Sequence, residues 1–172
     1  MKRILVTGIS GAGKTTMARA LAARLGLPFH EMDTLRYAGP GWAPNPGLHE
    51  ELAAIAAGPR WVLDSVGPAG GRDPLWTRAD TVVWLDYPRS VVMPRVLRRS
   101  VRRTLTRERI FGGNVESLAD WFTADHPVRW AWSRHAARRA EIDGLTRDPR
   151  FAPLRTLRFR APRQADRWLR TL

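Results

Sequence analysis

The chain contains no cysteine among its 172 residues. This absence excludes disulfide bonds, thiol catalysis and metal sites built on cysteine. Histidine is also scarce, and His126 and His135 stand alone, without the spacing of a zinc site. The sequence therefore gives no basis for thiol chemistry or for a structural zinc site.

Long apolar runs are missing as well. No apolar segment is long enough to cross a bilayer. The apolar run after Met1-Lys2-Arg3 is far too short for a signal peptide. No linker rich in serine, glycine or proline divides the chain, and 44% of its residues are hydrophobic. We therefore expect a cytoplasmic protein without membrane contact, folded as one domain over residues 1–172. The sequence predicts no oligomeric state.

Positive charge is carried almost entirely by arginine. Lys2 and Lys14 are the only lysines beside 27 arginines, and the formal net charge is +13. Residues 1–86 carry a net charge of +1 and residues 87–172 a net charge of +12, so the second half attracts anions. Three interpretations are open: a nucleic-acid surface, arginines that close over phosphates, and solvated helix faces.

A glycine-rich motif lies near the beginning of the chain. Residues 8–15 read GISGAGKT and fit G-x-x-x-x-G-K-[ST] without a mismatch. The glycines let backbone N–H groups turn inward around phosphates, Lys14 supplies a charge for the β and γ phosphates, and Thr15 supplies a hydroxyl for Mg²⁺. The motif follows an apolar run, Ile4–Val6, and precedes a helical pattern whose positive end faces the same anion. We therefore predict ATP and Mg²⁺ as ligands, with a nucleotide site formed by Gly8, Ile9, Ser10, Gly11, Ala12, Gly13, Lys14, Thr15 and Thr16.

Apolar segments alternate with helical patterns along most of the chain. This alternation predicts an α/β fold in which a five-stranded parallel sheet lies between helices. The predicted strands are residues 3–7, 28–32, 60–63, 81–85 and 154–159. The predicted helices are residues 14–25, 47–57, 90–103, about 125–145 and 162–172, with a short turn near 73–76.

Two segments rich in glycine interrupt this alternation. Residues 37–46 contain Gly39-Pro40-Gly41 and Pro44-Asn45-Pro46, and residues 106–125 contain Gly112-Gly113-Asn114 between arginine-rich helices. Both are predicted as loops, either mobile covers for a site or ordinary surface connections. Trp42, in the first loop, is a candidate for stacking on a planar ring.

Carboxylates follow two of the predicted strands. Asp64 follows Trp61-Val62-Leu63, and Asp86 follows Val83-Trp84-Leu85. A carboxylate at the carboxyl end of a buried strand lies near the bound phosphates and can hold Mg²⁺ through water. Asp64 is the first choice for this role, and the alternative is that it caps the glycine-rich loop that follows.

A carboxylate and an arginine also follow the second predicted strand, as Asp33-Thr34-Leu35-Arg36. Residues three apart share one face of a helical turn, so this pair could grip an acceptor by a hydroxyl and by an anionic group. The alternative is a helix cap with a solvated arginine.

These motifs occur together in one known group of proteins. GISGAGKTT, Asp33-x-x-Arg36, Asp64 and the pattern Pro88-x6-Arg95-x3-Arg99 resemble the adenylate kinase and shikimate kinase branch of P-loop kinases. Residues 61–64 and 76–89 are similar to the bacterial adenylate kinase-like topology modulation proteins, whose substrate is generally unassigned. The resemblance implies a three-layer α/β/α P-loop NTPase fold with a small helical lid at about residues 100–128.

The resemblance also implies roles for individual residues. Lys14 would neutralise the transferred phosphoryl group, Thr15 and Asp64 would organise Mg²⁺, and Asp33 and Arg36 would bind the acceptor. Arginines brought in by a closing lid are the expected catalytic equipment of a phosphoryl transferase. The resemblance thus implies Lys14, Arg95 and Arg99 as catalytic residues, with Arg95 and Arg99 at the base of the lid. Arg134 and Arg138 are weaker candidates for a second arm of the lid.

One departure from the adenylate kinase pattern concerns the acceptor. Adenylate kinases follow the third-strand aspartate with Gly-Phe-Pro-Arg, whereas this chain has Ser65-Val66-Gly67-Pro68, and Arg72 is the candidate replacement for the missing arginine. We therefore predict a kinase that transfers the γ-phosphoryl group of ATP to a nucleotide or a small hydroxylated acceptor. The alternative is an ATP-binding protein or ATPase that associates with nucleic acid through its basic C-terminal half.

Overall fold

The computed structural model describes residues 1–124 and 126–172. Asp125, at which one helix was predicted to begin, lies outside the described residues. The strands, in chain order, are β1 (Arg3–Gly8), β2 (Phe29–His30), β3 (Tyr37–Gly39), β4 (Ala43–Pro44), β5 (Trp61–Leu63), β6 (Thr81–Leu85), β7 (Arg109–Ile110), β8 (Asn114–Val115) and β9 (Arg155–Phe159).

Helices connect these strands. The α-helices are α1 (Lys14–Leu25), α2 (Met32–Arg36), α3 (Leu48–Ala57), α4 (Arg72–Arg78), α5 (Arg89–Thr106), α6 (Pro127–Arg147) and α7 (Pro162–Leu169). Two short 3₁₀ helices span Ala119–Phe122 and Pro149–Phe151. Within the described ranges, no helix is both long enough and apolar enough to cross a membrane.

The predicted five-stranded parallel sheet is confirmed, with the strand order β2-β5-β1-β6-β9. Successive side chains of a strand point to opposite faces. In the central strand β1, Ile4 and Val6 accordingly pack against α1 and α5, whereas Leu5 packs in a second core with residues of α3 and α4. Helices cover both faces, so the strands are buried and the three-layer architecture is confirmed.

The topology places several strand ends beside one another. From β1 the chain first builds the β2 and β5 side of the sheet and then crosses to the β6 and β9 side. Ligands of open α/β sheets bind at such a reversal, outside the carboxyl ends of the strands. Gly8, Asp64 and Asp86 lie at or directly after the ends of β1, β5 and β6.

Both glycine-rich segments differ from the simple loops that were predicted. Strands β3 and β4 pair as an antiparallel ribbon, the 37–44 hairpin, and strands β7 and β8 form a second ribbon, the 109–115 hairpin. The short turn predicted near 73–76 is the helix α4, and the last helix ends at Leu169. The sequence does not predict these ribbons, because each strand has only two or three residues, too few for an alternating pattern of polar and apolar residues.

Candidate active site

The glycine-rich motif forms a tight loop between β1 and α1. Gly8 has φ 147°, and a Cβ atom there would lie 2.8 Å from the carbonyl oxygen of Leu85. At Gly11, with φ 83°, a Cβ atom would lie 2.6 Å from the carbonyl oxygen of Val92. Side chains at these two positions would collide with backbone atoms, so the loop requires glycine where it lies against β6 and α5.

Lys14 begins α1 and is only partly exposed. Its Nζ atom donates a hydrogen bond to the carbonyl oxygen of Ile9 at 3.3 Å, across the loop. Removal from water lowers the pKa of Lys14, although the carboxylates of Asp33 and Asp64 oppose this shift. The first turn of α1 contains no acidic residue, so its positive end is available to an anion.

Asp64 is placed beside the loop by the end of β5. It is 5% exposed, its Oδ2 atom accepts a 2.5 Å hydrogen bond from the hydroxyl of Thr15, and its Oδ1 atom accepts one from the amide of Met32 at 2.8 Å. Burial raises the pKa of Asp64 despite these hydrogen bonds. A hydroxyl and a carboxylate side by side are oxygen ligands of the kind that Mg²⁺ prefers, since this ion retains waters and uses few protein ligands. The pair therefore fits the predicted metal.

Asp86, the other strand-end carboxylate, is engaged in a different network. Arg158 contacts its Oδ2 atom at 2.7 Å, and Arg139 contacts its Oδ1 atom at 3.0 Å. Arg158 also contacts Asp143 at 3.1 Å and lies over the ring of Trp84. Two arginines already neutralise this carboxylate, so Asp64 is the better placed of the two for a metal.

The arginines predicted to form the base of the lid lie on α5, beside the loop. Arg99 donates a hydrogen bond from Nη2 to the hydroxyl of Ser10 at 3.0 Å. Nη1 of Arg95 lies 3.9 Å from the position that a Cβ atom of Gly13 would take. Burial lowers the pKa of Arg99, and the neighbouring charge of Arg103 adds to that shift. The structure thus brings both arginines to the loop, and their catalytic role stays a prediction.

Asp33 and Arg36 lie on the short helix α2, directly after β2, and both are exposed. The charge of Asp33 acts on Lys14, Asp64 and Arg99. Asp33 therefore lies within electrostatic reach of Lys14 in the loop, of Asp64 and of Arg99 on α5. Binding of an acceptor by Asp33 and Arg36 stays a prediction.

Arg72 and Arg138 meet at one carboxylate, although they come from different helices. Glu141 of α6 forms ion pairs with Arg72 at 2.5 Å and with Arg138 at 2.8 Å. Burial lowers the pKa of Arg138, and the charges of Arg72 and Arg36 add to that shift while Glu141 opposes it. Three positive charges around one negative charge leave a surplus that suits an anionic ligand.

The convergence of Arg138 with Arg72 was not predicted. The sequence interpretation placed Arg138, with Arg134, on a second arm of the lid. In the structure Arg138 shares Glu141 with Arg72 and its charge also acts on Lys14, whereas Arg134 is exposed one turn earlier on α6; their part in a lid stays a prediction. The only local sequence signal was the spacing of Arg138 and Glu141, three residues apart on one helix face.

Trp42 has a defined environment in the 37–44 hairpin. Its ring packs edge-on against Tyr37, with ring centroids 5.2 Å apart, and its amide donates to Asn114 of the 109–115 hairpin. Stacking of Trp42 on a ligand ring stays a prediction. No group of three or more potential metal-ligating His, Asp or Glu side chains occurs in the part of the chain that the structure describes, so a metal there would depend on hydroxyl, water and phosphate oxygens as well.

Two comparisons with known proteins match part of the chain. Residues 4–59 match the model of the ATPase family associated with various cellular activities. Shikimate kinase of Bradyrhizobium diazoefficiens is 33% identical over 120 residues, an alignment that spans 60% of this chain and 58% of that protein. The chain thus matches little more than half the length of this curated relative.

Solved structures match nearly the whole chain. The shikimate kinase of Acinetobacter baumannii, determined with shikimate, matches 99% of this chain and 92% of its own, with a TM-score of 0.55 and 20% identity. A sugar kinase from Janibacter sp. HTCC2649 matches 99% of this chain and 93% of its own, with a TM-score of 0.54 and 20% identity. The chain therefore has the P-loop fold that these kinases share, which confirms the predicted fold class.

Proposed function

We propose that this chain is an ATP-dependent phosphotransferase that moves the γ-phosphoryl group to a small hydroxylated acceptor with an anionic group. One observation carries the proposal: Lys14 reaches across the loop to Ile9 at 3.3 Å, Arg99 reaches Ser10 of the same loop at 3.0 Å, and burial lowers the pKa of both. Cations desolvated with too little opposing charge are costly unless an anion binds among them. The phosphates of ATP and an acid group of the acceptor would supply that charge.

The nucleotide half of the site would act by positioning and charge. The loop amides and Lys14 would hold the β and γ phosphates, and Arg99 would remain over Ser10 beside the transferred group. Mg²⁺ would be held by Thr15 and Asp64 and would neutralise phosphate charge. Phosphoryl transfer requires this arrangement more than it requires a covalent catalyst.

The acceptor half lies toward α2, α4 and α6. Arg36, Arg72 and Arg138 would bind the anionic group, and Asp33 would accept a hydrogen bond from the reacting hydroxyl. The acceptor oxygen would form a bond to the γ phosphorus while the bond to the leaving oxygen of ADP breaks, and the hydroxyl proton would pass to the exposed carboxylate of Asp33 and from there to solvent. Arg72 is held beside Arg138 by Glu141 at 2.5 Å, and its Nη2 atom also donates to the carbonyl oxygen of Gly67 at 3.3 Å.

The experiment that tests this proposal is a screen for ADP release with Mg²⁺ and candidate acceptors. Hydroxy acids and sugar acids should stimulate turnover well above the rate without acceptor, since they combine a hydroxyl with an anionic group. Nucleoside monophosphates form a second set of candidate acceptors, because the resemblance to adenylate kinases implies a nucleotide as acceptor. The resemblance to topology modulation proteins implies no particular acceptor. Equal rates with every compound and with none would leave ATP hydrolysis as the activity and exclude the acceptor half of the proposal.

Replacement of Arg138 should affect the acceptor more than ATP. We expect Arg138→Ala to raise the KM for the acceptor by about tenfold or more, the effect of one lost charge-assisted contact. The KM for ATP should change less, because Arg138 acts on Lys14 only through its charge. Arg147→Ala is the matched control, because Arg147 lies on the same helix with an exposed side chain. An equal rise of both KM values in Arg138→Ala would contradict a specific role in acceptor binding and would indicate that Arg138 contributes to nucleotide binding or to folding.

Asp64→Asn should separate metal use from folding. We expect Mg²⁺-dependent turnover to fall about 10- to 100-fold, as for other residues that orient a metal, with a smaller loss of metal-free nucleotide binding. The raised pKa means that ionised Asp64 costs stability above its folded pKa. The variant's Tm at neutral pH should therefore equal or exceed that of the native chain, and this difference should vanish in acid, where the native carboxyl is protonated. A lower Tm at neutral pH would make Asp64 a structural cap.

A further inference from the structure

Asn114, at the start of β8, joins two segments that lie far apart in sequence. Its side chain is 2% exposed, and Oδ1 accepts a 2.6 Å hydrogen bond from the amide of Trp42, 72 positions away. Its Nδ2 atom donates to the carbonyl oxygens of Gly39 at 3.0 Å and Phe111 at 2.6 Å. One buried amide therefore fastens the 109–115 hairpin to the 37–44 hairpin.

Gly112 adds a direct approach of the two backbones. A Cβ atom at Gly112 would lie 3.1 Å from the amide nitrogen of Gly39 and 3.3 Å from the carbonyl oxygen of Tyr37. A Cβ atom at the next residue, Gly113, would meet nothing within 4 Å. Both glycines have positive φ, 77° and 92°, so only the contact with the 37–44 hairpin distinguishes them.

Neither hairpin has much structure of its own. The 37–44 hairpin pairs at only two positions with an irregular register, and the 109–115 hairpin pairs at two positions. Isolated two-stranded ribbons are marginally stable in water. Each hairpin therefore depends on the other for its order.

The two hairpins extend from opposite halves of the site. The 37–44 hairpin directly follows α2, which carries Asp33 and Arg36, and the 109–115 hairpin follows α5, which carries Arg99. The segment after the second hairpin is tied back to α5, because Nε1 of Trp121 donates to the hydroxyl of Thr104 at 2.9 Å. A continuous set of contacts thus joins α2 on one side of the site to α5 on the other.

We propose that Asn114 is a positioning residue that couples the two halves. The inference rests on the proposed function and deepens it: ordering of the 109–115 hairpin over bound nucleotide also orders the 37–44 hairpin beside the acceptor. Nucleotide then raises the affinity for the acceptor, and the acceptor raises the affinity for nucleotide by the same factor, about fivefold or more. The acceptor side is completed only when ATP is present, which limits water access and wasteful hydrolysis.

Hydrogen exchange of the full chain tests this coupling with Mg²⁺ and a non-hydrolysable ATP analogue as the probe. In the native chain the analogue should slow exchange in residues 8–16 and, by roughly fivefold or more, in residues 37–44, although no acceptor is present. Asn114→Ala and Gly112→Ala should keep the protection of residues 8–16 and lose that of residues 37–44. Gly113→Ala adds the same methyl group at a similar positive φ but without the contact, so it matches the backbone strain of Gly112→Ala and should keep the protection of residues 37–44.

The outcomes separate this inference from the proposed function. Protection of residues 8–16 without protection of residues 37–44 in the native chain would overturn the coupling and leave the nucleotide site intact. Equal protection of residues 37–44 in Asn114→Ala and Gly113→Ala would overturn the role of Asn114. Absence of protection in residues 8–16 would contradict the nucleotide site itself. Exchange in β1 and β6 reports folding, so a misfolded Asn114→Ala is recognised, and Gly112→Ala then decides.

Discussion

Lys14→Ala is expected to lower turnover by about 10³-fold or more, the upper range for loss of one charge that stabilises a transition state. Lys14 donates to Ile9 across the loop, and its pKa is lowered by burial, so a bound phosphate is its best available partner. Nucleotide affinity should fall together with turnover. Both can be measured on one preparation, by titration calorimetry and by ADP release.

The fold should survive this change. A lysine whose pKa is lowered in the folded state holds its proton less tightly there, so its charge costs stability at neutral pH and its removal does not. We expect the Tm of Lys14→Ala to equal or exceed that of the native chain. Lys2→Ala is the matched control, since Lys2 is the only other lysine and is exposed. Unchanged ATP binding and turnover in Lys14→Ala would contradict the prediction that the loop binds phosphates.

Arg99→Ala has the second largest expected effect. We expect turnover to fall about 10²-fold while ATP affinity changes little, because charge stabilisation acts mainly on the transition state. Arg99 is fixed over Ser10 by a 3.0 Å hydrogen bond, and its buried Nε atom has no hydrogen-bond partner among the described residues. Arg99→Lys should recover only part of the loss, because lysine keeps the charge without the planar fork. Arg95→Ala belongs in the same series.

Arg98→Ala distinguishes a specific role from a diffuse one. Arg98 is the neighbouring residue on α5 and is exposed, so its removal changes the net charge equally. A nucleic-acid surface would make the two variants alike: each would weaken DNA or RNA binding modestly, reduce its salt dependence by about one phosphate contact and leave ATP turnover unchanged. That result would favour the nucleic-acid alternative over phosphoryl transfer.

The part of the site that the sequence predicts best is the part with local signals. The loop from Gly8 to Thr15 has a fixed spacing, and each residue lies next to its functional neighbours along the chain. Asp64 could be placed because the ends of parallel strands meet at one edge, and the structure puts it 2.5 Å from Thr15. Alternation of strands and helices likewise predicted the five strands of the sheet.

Contacts between distant segments could not be predicted in this way. Glu141 joins Arg72 to Arg138, and Asn114 joins the 109–115 hairpin to Trp42. Each of these contacts depends on a single side chain, Glu141 or Asn114, so neither produces a periodic pattern in the sequence. The two hairpins were predicted as loops for a related reason, since their strands are too short to alternate and depend on tertiary contacts for their order.

Transfer of label from γ-phosphate-labelled ATP is the measurement that most directly tests phosphoryl transfer by this chain. With Mg²⁺ and an anionic hydroxylated acceptor found in the screen, the label should appear on the acceptor in amounts equal to the ADP released. Lys14→Ala and Arg99→Ala should abolish or strongly reduce this product, and Lys2→Ala and Arg98→Ala should not. Label found only in inorganic phosphate, at a rate that no acceptor changes, would contradict a kinase and identify an ATPase.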